Sequence, residues 1–158
     1  MQQNAAVYQS PIGPLPIFSD GEFITGLYTK QIKLAEPFNT DEVISSAIEW
    51  LNQYFAGKNP EIDLLPLKAA GTNFQKDVWN RLRSIPYGCT VTYGQLASQI
   101  AADRGISRMS AQAVGQAVGA NPISIIIPCH RVIGANGNLI GYAGGLDKKI
   151  MLLNHESL

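Results

Sequence analysis

Cys129 and His130 are adjacent, directly preceded by Pro128 and followed by Arg131. Sulfur attacks only as thiolate, and an ordinary thiol with a pKa of about 8.5 is little ionised at neutral pH, so a nucleophilic Cys129 needs a base or a cation beside it. Imidazole is such a base. Successive residues of an extended chain point to opposite sides, so contact between the two needs a bent backbone, which Pro128 makes plausible, or an intervening water. A third group should accept the other imidazole N–H and fix its tautomer, and Glu156 is the best candidate. The same residues also fit a buried cysteine beside a surface histidine, and adjacency alone does not separate the two. The other cysteine, Cys89, lies far away with no CxxC spacing; both are expected to be free thiols, and Cys89 a small packing residue.

The elements that must hold these groups follow from periodicity and punctuation. Strands are expected at 6–8, 15–18 and 23–28, separated by the Pro-Gly-Pro region at 11–14 and by Asp20-Gly21. Asn39 and Glu42 have the spacing of a capping box, and Val43, Ile44, Ala47, Ile48, Leu51, Tyr54 and Phe55 recur at helical spacing until Gly57. Residues 59–67 read as an extended arm leading to a linker at 68–71. Thr72 with Gln75, and Thr92 with Gln95, are two further capping boxes. The first opens a helix with Phe74, Val78, Leu82 and Ile85 on one face. The second opens a short helix facing inward through Leu96, Ala97 and Ile100 and ending near 103–105. Another short helix, at about 108–120, completes the outline of a helix-turn-helix.

That helix carries Ala111, Gly115 and Gly119 at i, i+4 and i+8, which leaves one face nearly bare. Each interior glycine costs about 1 kcal/mol of propensity, so close approach by a neighbouring helix or by a nucleic-acid backbone should compensate. Ile123-Ser124-Ile125-Ile126-Ile127 is a β-branched run that fits a buried strand ending at Pro128. Residues 134–138 read as a turn, 141–145 as a loop around Tyr142, and 148–154 as a last helix whose end presents His155 and Glu156.

Composition bounds the function. The 158 residues, 46% hydrophobic and 15% charged, describe a globular chain of one compact domain or two small ones. No stretch has the roughly 18–20 apolar residues of a membrane helix, and the N-terminus lacks a signal peptide's pattern, so the chain is expected to be cytoplasmic. Net charge is zero. Residues 1–70, however, hold four Lys and no Arg against eight Asp and Glu, while residues 71–158 hold eight basic against four acidic residues, so the halves are −4 and +4. A basic second half could face a polyanion.

The segment Ile127-Pro128-Cys129-His130-Arg131-Val132-Ile133 resembles the PCHRV active-site motif of the O6-alkylguanine-DNA alkyltransferases, also called methylated-DNA–protein-cysteine methyltransferases. Gly71-Thr72-Asn73-Phe74-Gln75 with Val78-Trp79, Ile85-Pro86-Tyr87-Gly88, Thr92-Tyr93, Ala113-Val114-Gly115, Asn121-Pro122 and Gly141-Tyr142-Ala143-Gly144-Gly145-Leu146 stand in the family's order. The match covers essentially all of 71–158. Tyr8 and Ser10-Pro11-Ile12-Gly13 match more loosely.

The resemblance implies an α/β (α+β) fold with a small RNase H-like N-terminal domain over 1–70. A helical DNA-binding and alkyl-acceptor domain over 71–158 would carry the helix-turn-helix and the active-site cysteine loop. It implies direct, irreversible repair of O6-alkylguanine, and of O4-methylthymine, in double-stranded DNA by a monomer without cofactor. Cys129 would be the acceptor, His130 the base working through a water, and Glu156 the carboxylate that orients it. Asn121 would be the hinge between helix-turn-helix and cysteine loop, and Tyr93 would contact the extruded base and its 3′ phosphate. The carbonyls of Cys129 and Val132 would accept the exocyclic amine, while Tyr142 and the Ala143 N–H would wall the pocket. Arg131 is expected to be a structural ion-pair residue. The second helix, with Ala113 and Gly115, would enter the minor groove, and the target nucleotide must be flipped out for sulfur to reach its alkyl group in line.

The sequence also departs from the pattern. Many relatives place an arginine just before Ala113 to fill the gap left by the flipped nucleotide; here it is Gln112, which lacks charge and stacking area, and Arg108 could supply phosphate contacts. Some relatives bind structural zinc in the N-terminal domain, but residues 1–88 contain neither Cys nor His, so no metal site is expected. Ser124 stands where other members can carry proline. Two other classes compete. A lesion-binding alkyltransferase-like protein usually lacks the cysteine, and a Cys/His hydrolase or thioltransferase should have no helix-turn-helix.

Overall fold

In a computed structural model, which describes residues 4–34, 38–139, 142 and 144–157, an antiparallel sheet and one helix precede a helical second half. Strands β1 (Asn4–Ser10), β2 (Gly13–Ser19) and β3 (Ile24–Leu27) lie in chain order, with Ala6 opposite Ile17 and Ile17 opposite Leu27. Gly13, at φ +113°, makes the tight β1–β2 turn that only glycine takes without strain. Helix α1 (Glu42–Phe55) covers the sheet with Ile44, Ala47, Leu51 and Tyr54. Its cap is Asp41, which accepts from Ile44 N–H at 2.8 Å, rather than the expected Asn39. Asp41 also accepts from Asn4 and Ser19 at 2.7 Å each, so tertiary partners from the sheet select it.

The open edge of β3 carries both halves of the chain. Ile24 N–H donates to Pro66 O at 2.7 Å and Lys68 N–H to Ile24 O at 2.9 Å; Leu27 N–H donates to Pro122 O at 2.9 Å and Ser124 N–H to Leu27 O at 2.8 Å. An edge that would otherwise expose unpaired backbone is thus closed. The 59–67 arm contains a 3₁₀ turn, Ile62–Leu64, which its two prolines and apolar cluster did not announce.

Helix α2 (Asn73–Leu82) and helix α3 (Tyr93–Arg104) both start with complete capping boxes, Thr72/Gln75 and Thr92/Gln95. Gly105 ends α3 in the left-handed conformation, φ +68°. Helix α4 (Ala111–Gly119) is shorter than the expected 108–120, because Ser110 caps it and leaves Arg108 on the exposed turn before it. Strands β4 (Val91–Thr92) and β5 (Val132–Ile133) pair in parallel beside the site, and α5 (Leu146–Glu156) outlasts the expected 148–154. The β-branched run is the main departure. Only Ile123 pairs, with Leu27, and the chain then turns sharply, with Ile125 at φ +72°. Ile123, Ile125, Ile126 and Ile127 are all buried, so the apolar run reported burial and not strand. Among the described residues no helix is long and apolar enough to cross a membrane.

Candidate active site

Cys129, His130 and Arg131 form one 3₁₀ turn after Pro128, and all three are buried. That turn is the bent backbone the adjacent pair requires. The loop leading to it has few sheet partners, and the Asn121 side chain takes their place. Its amide donates to Ile127 O at 2.8 Å and to Ile123 O at 3.3 Å, and its oxygen accepts from Ile123 N–H at 3.0 Å. One buried amide thereby ties the end of α4 to the residues just before Cys129, and satisfies backbone groups that could not be left bare.

The Glu156 carboxylate, in the last turn of α5, is the centre of a dense buried network. Its Oε2 lies 2.5 Å from His130 Nε2 and accepts from Tyr54 Oη at 2.6 Å and Arg131 Nη2 at 3.0 Å. Its Oε1 accepts from Arg131 Nε at 2.7 Å and from Gly88 N–H at 3.2 Å. Burial opposes its ionisation, but the hydrogen bonds from His130, Arg131 and Tyr54 win and hold it far below the usual carboxylate range. An ionised Glu156 places the imidazole proton on Nε2, so Nδ1 is left as the basic nitrogen. Burial pushes His130 below its ordinary value, against the pull of Glu156, with Arg131 and Lys149 adding to the depression. Arg131 also donates to Ile85 O at 2.7 Å, and its guanidinium sits over the Tyr87 ring. It serves the network as a buried counter-charge.

Burial pushes the Cys129 thiol up, while the Asn121 side chain, the Lys149 charge and the Ser124 hydroxyl each pull it back. The resting site therefore pairs a protonated thiol with a neutral imidazole. Lys149 has no exposed surface, donates to Val132 O at 2.6 Å and lies over the Tyr93 ring. Tyr93, the first residue of α3, is raised by burial and by Cys129, so its phenol keeps its proton. Tyr142 places its buried hydroxyl among Thr29, Ser124 and Cys129, and burial raises it well above the ordinary phenol value. The segment after it is locked onto β3's exit: Lys148 Nζ donates to Thr29 O, and a Cβ on Gly144 would overlap the Thr29 side chain.

An open cavity of about 700 Å³ is lined by Tyr93, Gly94, Ala111, Gln112, Gly115 and Ala135, among others. The bare face of α4 is one of its walls. A Cβ on Gly115 would stand 3.5 Å from the Tyr93 ring, whereas one on Gly119 would meet nothing, so close approach within the fold involves the first glycine alone. Gln112 is exposed and Ala113 half-buried.

The structure thus gathers Cys129, His130, Glu156, Asn121, Tyr93, Val132 and Tyr142 about one site, with Gln112 and Gly115 on the adjoining wall. Arg108 sits apart on its turn, and Ala143 lies outside the described residues. Cys89 is exposed on the turn closed by its N–H to Pro86 O at 3.0 Å, and is not the packing residue expected. Lys149 and Tyr54 were missed. For Lys149 a signal existed, since 149, 152 and 156 share one helix face at i, i+3 and i+7. Tyr54 reads simply as core, and nothing local reveals where its hydroxyl goes. Among the described residues no group of three or more His, Cys, Asp or Glu is placed to hold a metal.

Comparison with known proteins extends over nearly the whole chain. Residues 73–158 match the profile described as 6-O-methylguanine DNA methyltransferase, DNA binding domain. Residues 5–69 match that described as 6-O-methylguanine DNA methyltransferase, ribonuclease-like domain. The chain is 46% identical over 152 residues to a methylated-DNA–protein-cysteine methyltransferase of Mycobacterium tuberculosis, covering 93% of this chain and 88% of that one. It is 44% identical over 158 residues to the protein of the same name from Methanosarcina acetivorans, with 96% of each covered. The fold superimposes on a crystal structure of Mycobacterium tuberculosis OGT in complex with DNA with a TM-score of 0.84 at 43% identity, covering 99% of this chain and 93% of that chain.

Proposed function

The chain belongs to the methylated-DNA–protein-cysteine methyltransferase family, and from that premise we propose that Cys129 is the alkyl acceptor and that His130, Glu156, Asn121 and Tyr93 serve its chemistry. It is an enzyme that repairs DNA by moving an alkyl group from the damaged base to a cysteine of its own. The observation that carries the assignment is the 2.5 Å contact between Glu156 Oε2 and buried His130 Nε2, which leaves Nδ1 of the neighbouring imidazole as a base for Cys129.

In the proposed step the thiol proton passes through a water to His130 Nδ1, and the imidazolium is stabilised by Glu156. The thiolate, held by Asn121 and Lys149, attacks the alkyl carbon on guanine O6. The S–C bond forms as the C–O bond breaks, and the bonding pair leaves on the guanine. Tyr93, protonated and next to Cys129, helps neutralise that charge. The product is a thioether, so one molecule repairs one base. Tyr142 walls the base pocket, with the carbonyls of Cys129 and Val132 facing the exocyclic amine; Lys149 on Val132 O leaves that carbonyl its second lone pair.

Access to the base requires extrusion of the nucleotide, and the cavity beside Tyr93 and α4 supports a flipped base entering there. Helix α4, through Ala113 and Gly115, enters the minor groove; Gln112 meets the orphaned partner base and Arg108 a phosphate. We assign the ribonuclease-like piece to 1–70 and the acceptor piece to 71–158, acting as a monomer in the cytoplasm. Incubation with an O6-methylguanine duplex followed by intact-mass and peptide mapping tests the whole. One methyl gained on Cys129, and none in Cys129→Ser, is expected. Binding without mass gain would leave only a lesion-recognition role.

A further inference from the structure

Glu156 accepts five hydrogen bonds, more than the roughly four lone-pair sites a carboxylate offers. Three of them converge on Oε2, and one of these donors comes from the far part of the chain. Tyr54 sits on α1 and is 1% exposed. Its ring is held between Trp50, stacked at 5.6 Å, and Phe55, Tyr87 and His155 at 5.0–6.0 Å. Packing alone would be served by phenylalanine. The hydroxyl instead reaches the oxygen that His130 uses, at 2.6 Å.

We infer that Tyr54 is a positioning residue for alkyl transfer: by occupying Oε2 it limits the negative charge Glu156 presents to His130, keeping the imidazole neutral and able to take the Cys129 proton. This rests on the alkyl-transfer reading above. A carboxylate stripped of one donor is a stronger partner for an imidazolium, so His130 without Tyr54 would hold a proton to higher pH. The groups facing the pair are few. The 129–131 turn contributes His130 and Arg131; the 86–89 turn contributes Tyr87 and the Gly88 N–H; α5 contributes Lys149 and, against the Tyr54 ring, His155. Arg131 and Lys149 are cations that depress His130 whether or not Tyr54 is present, so the hydroxyl's contribution can be isolated.

The chain has two histidines, so proton NMR follows each imidazole without substrate. In Tyr54→Phe the His130 midpoint moves up relative to wild type, and single-turnover methyl transfer on the acid side of the profile slows about threefold, the factor a half-unit shift gives. Site-specific 3,5-difluorotyrosine at position 54, a stronger donor that keeps the ring, moves the His130 midpoint down, and it decides the matter if the phenylalanine variant folds poorly. An unchanged His130 midpoint in both proteins overturns the inference. Wild type that gains no methyl from the lesion sinks the alkyl-transfer reading instead, while the titration still judges Tyr54.

Discussion

Lys149 Nζ donates to the Val132 carbonyl at 2.6 Å from a position with no exposed surface, and its charge acts on the Cys129 thiol. A buried ammonium is costly unless it stabilises something, and burial indeed lowers Lys149 while Cys129 raises it. Lys149→Met keeps length and volume and removes the cation. The thiol then loses a group that lowers it, so transfer at neutral pH slows about tenfold. The deficit shrinks as pH rises and more thiolate forms. Single-turnover rates across pH check this, and a deficit equal at every pH would assign Lys149 to packing.

Glu156 joins the Arg131 cation and the neutral His130 imidazole in the interior, so its loss leaves Arg131 buried without its partner. Glu156→Gln should cost about 3 kcal/mol, a fall in melting temperature of about 6–12 °C for a chain of this size, and should abolish transfer. The sign with pH follows from two depressed groups. His130, buried and neutral, contributes stability above the ordinary imidazole value of about 6.5 that is lost as pH falls through its lower folded value. Glu156 contributes stability above about 4.3 that is lost as pH falls through its own depressed value. His130 stays in the variant, so the Glu156 contribution separates the two proteins, and their denaturation curves should converge as pH falls below about 4.3.

Gln112 is exposed at the first turn of α4, on the cavity wall. Gln112→Arg adds a planar charged group that can stack in the space a flipped nucleotide leaves and can contact phosphate. Repair of duplex should accelerate several-fold more than repair of single strands, as read by rates on both substrates. Equal acceleration on the two would mean that the charge acts through general DNA affinity.

Cys89 and Cys129 differ in access, one exposed and one buried. A bulky maleimide should label Cys89 first, and Cys89→Ser should leave methyl transfer to Cys129 unchanged. Mapping of labelled peptides at short times checks the order.

Local signals served well where local physics decides. Both threonine capping boxes and the Gly105 stop are visible as residue types at fixed spacing, and they frame α2 and α3 as built. The adjacency of Cys129 and His130 is equally visible, and Glu156, the candidate third group, is brought by the fold to His130 Nε2 at 2.5 Å. What stayed hidden depends on partners distant in sequence. Asp41 wins the cap over Asn39 because Asn4 and Ser19 reach it. The isoleucines at 123 and 125–127 look like a strand, yet the Asn121 amide substitutes for sheet neighbours. Tyr54 meets Glu156 across 102 positions, and no periodicity records that.

The edge of β3 has a bearing on how this chain can change over generations. Because Leu27 hydrogen-bonds the backbone at 122–124, a few residues before the acceptor sulfur, a shift in the early sheet would be transmitted along that short run to the reactive loop. Insertions in the first sixty residues should therefore be tolerated at the β2–β3 turn, where Gly21 and Glu22 are exposed, and purged beside Leu27. The part of the molecule that does no chemistry inherits the precision of the part that does.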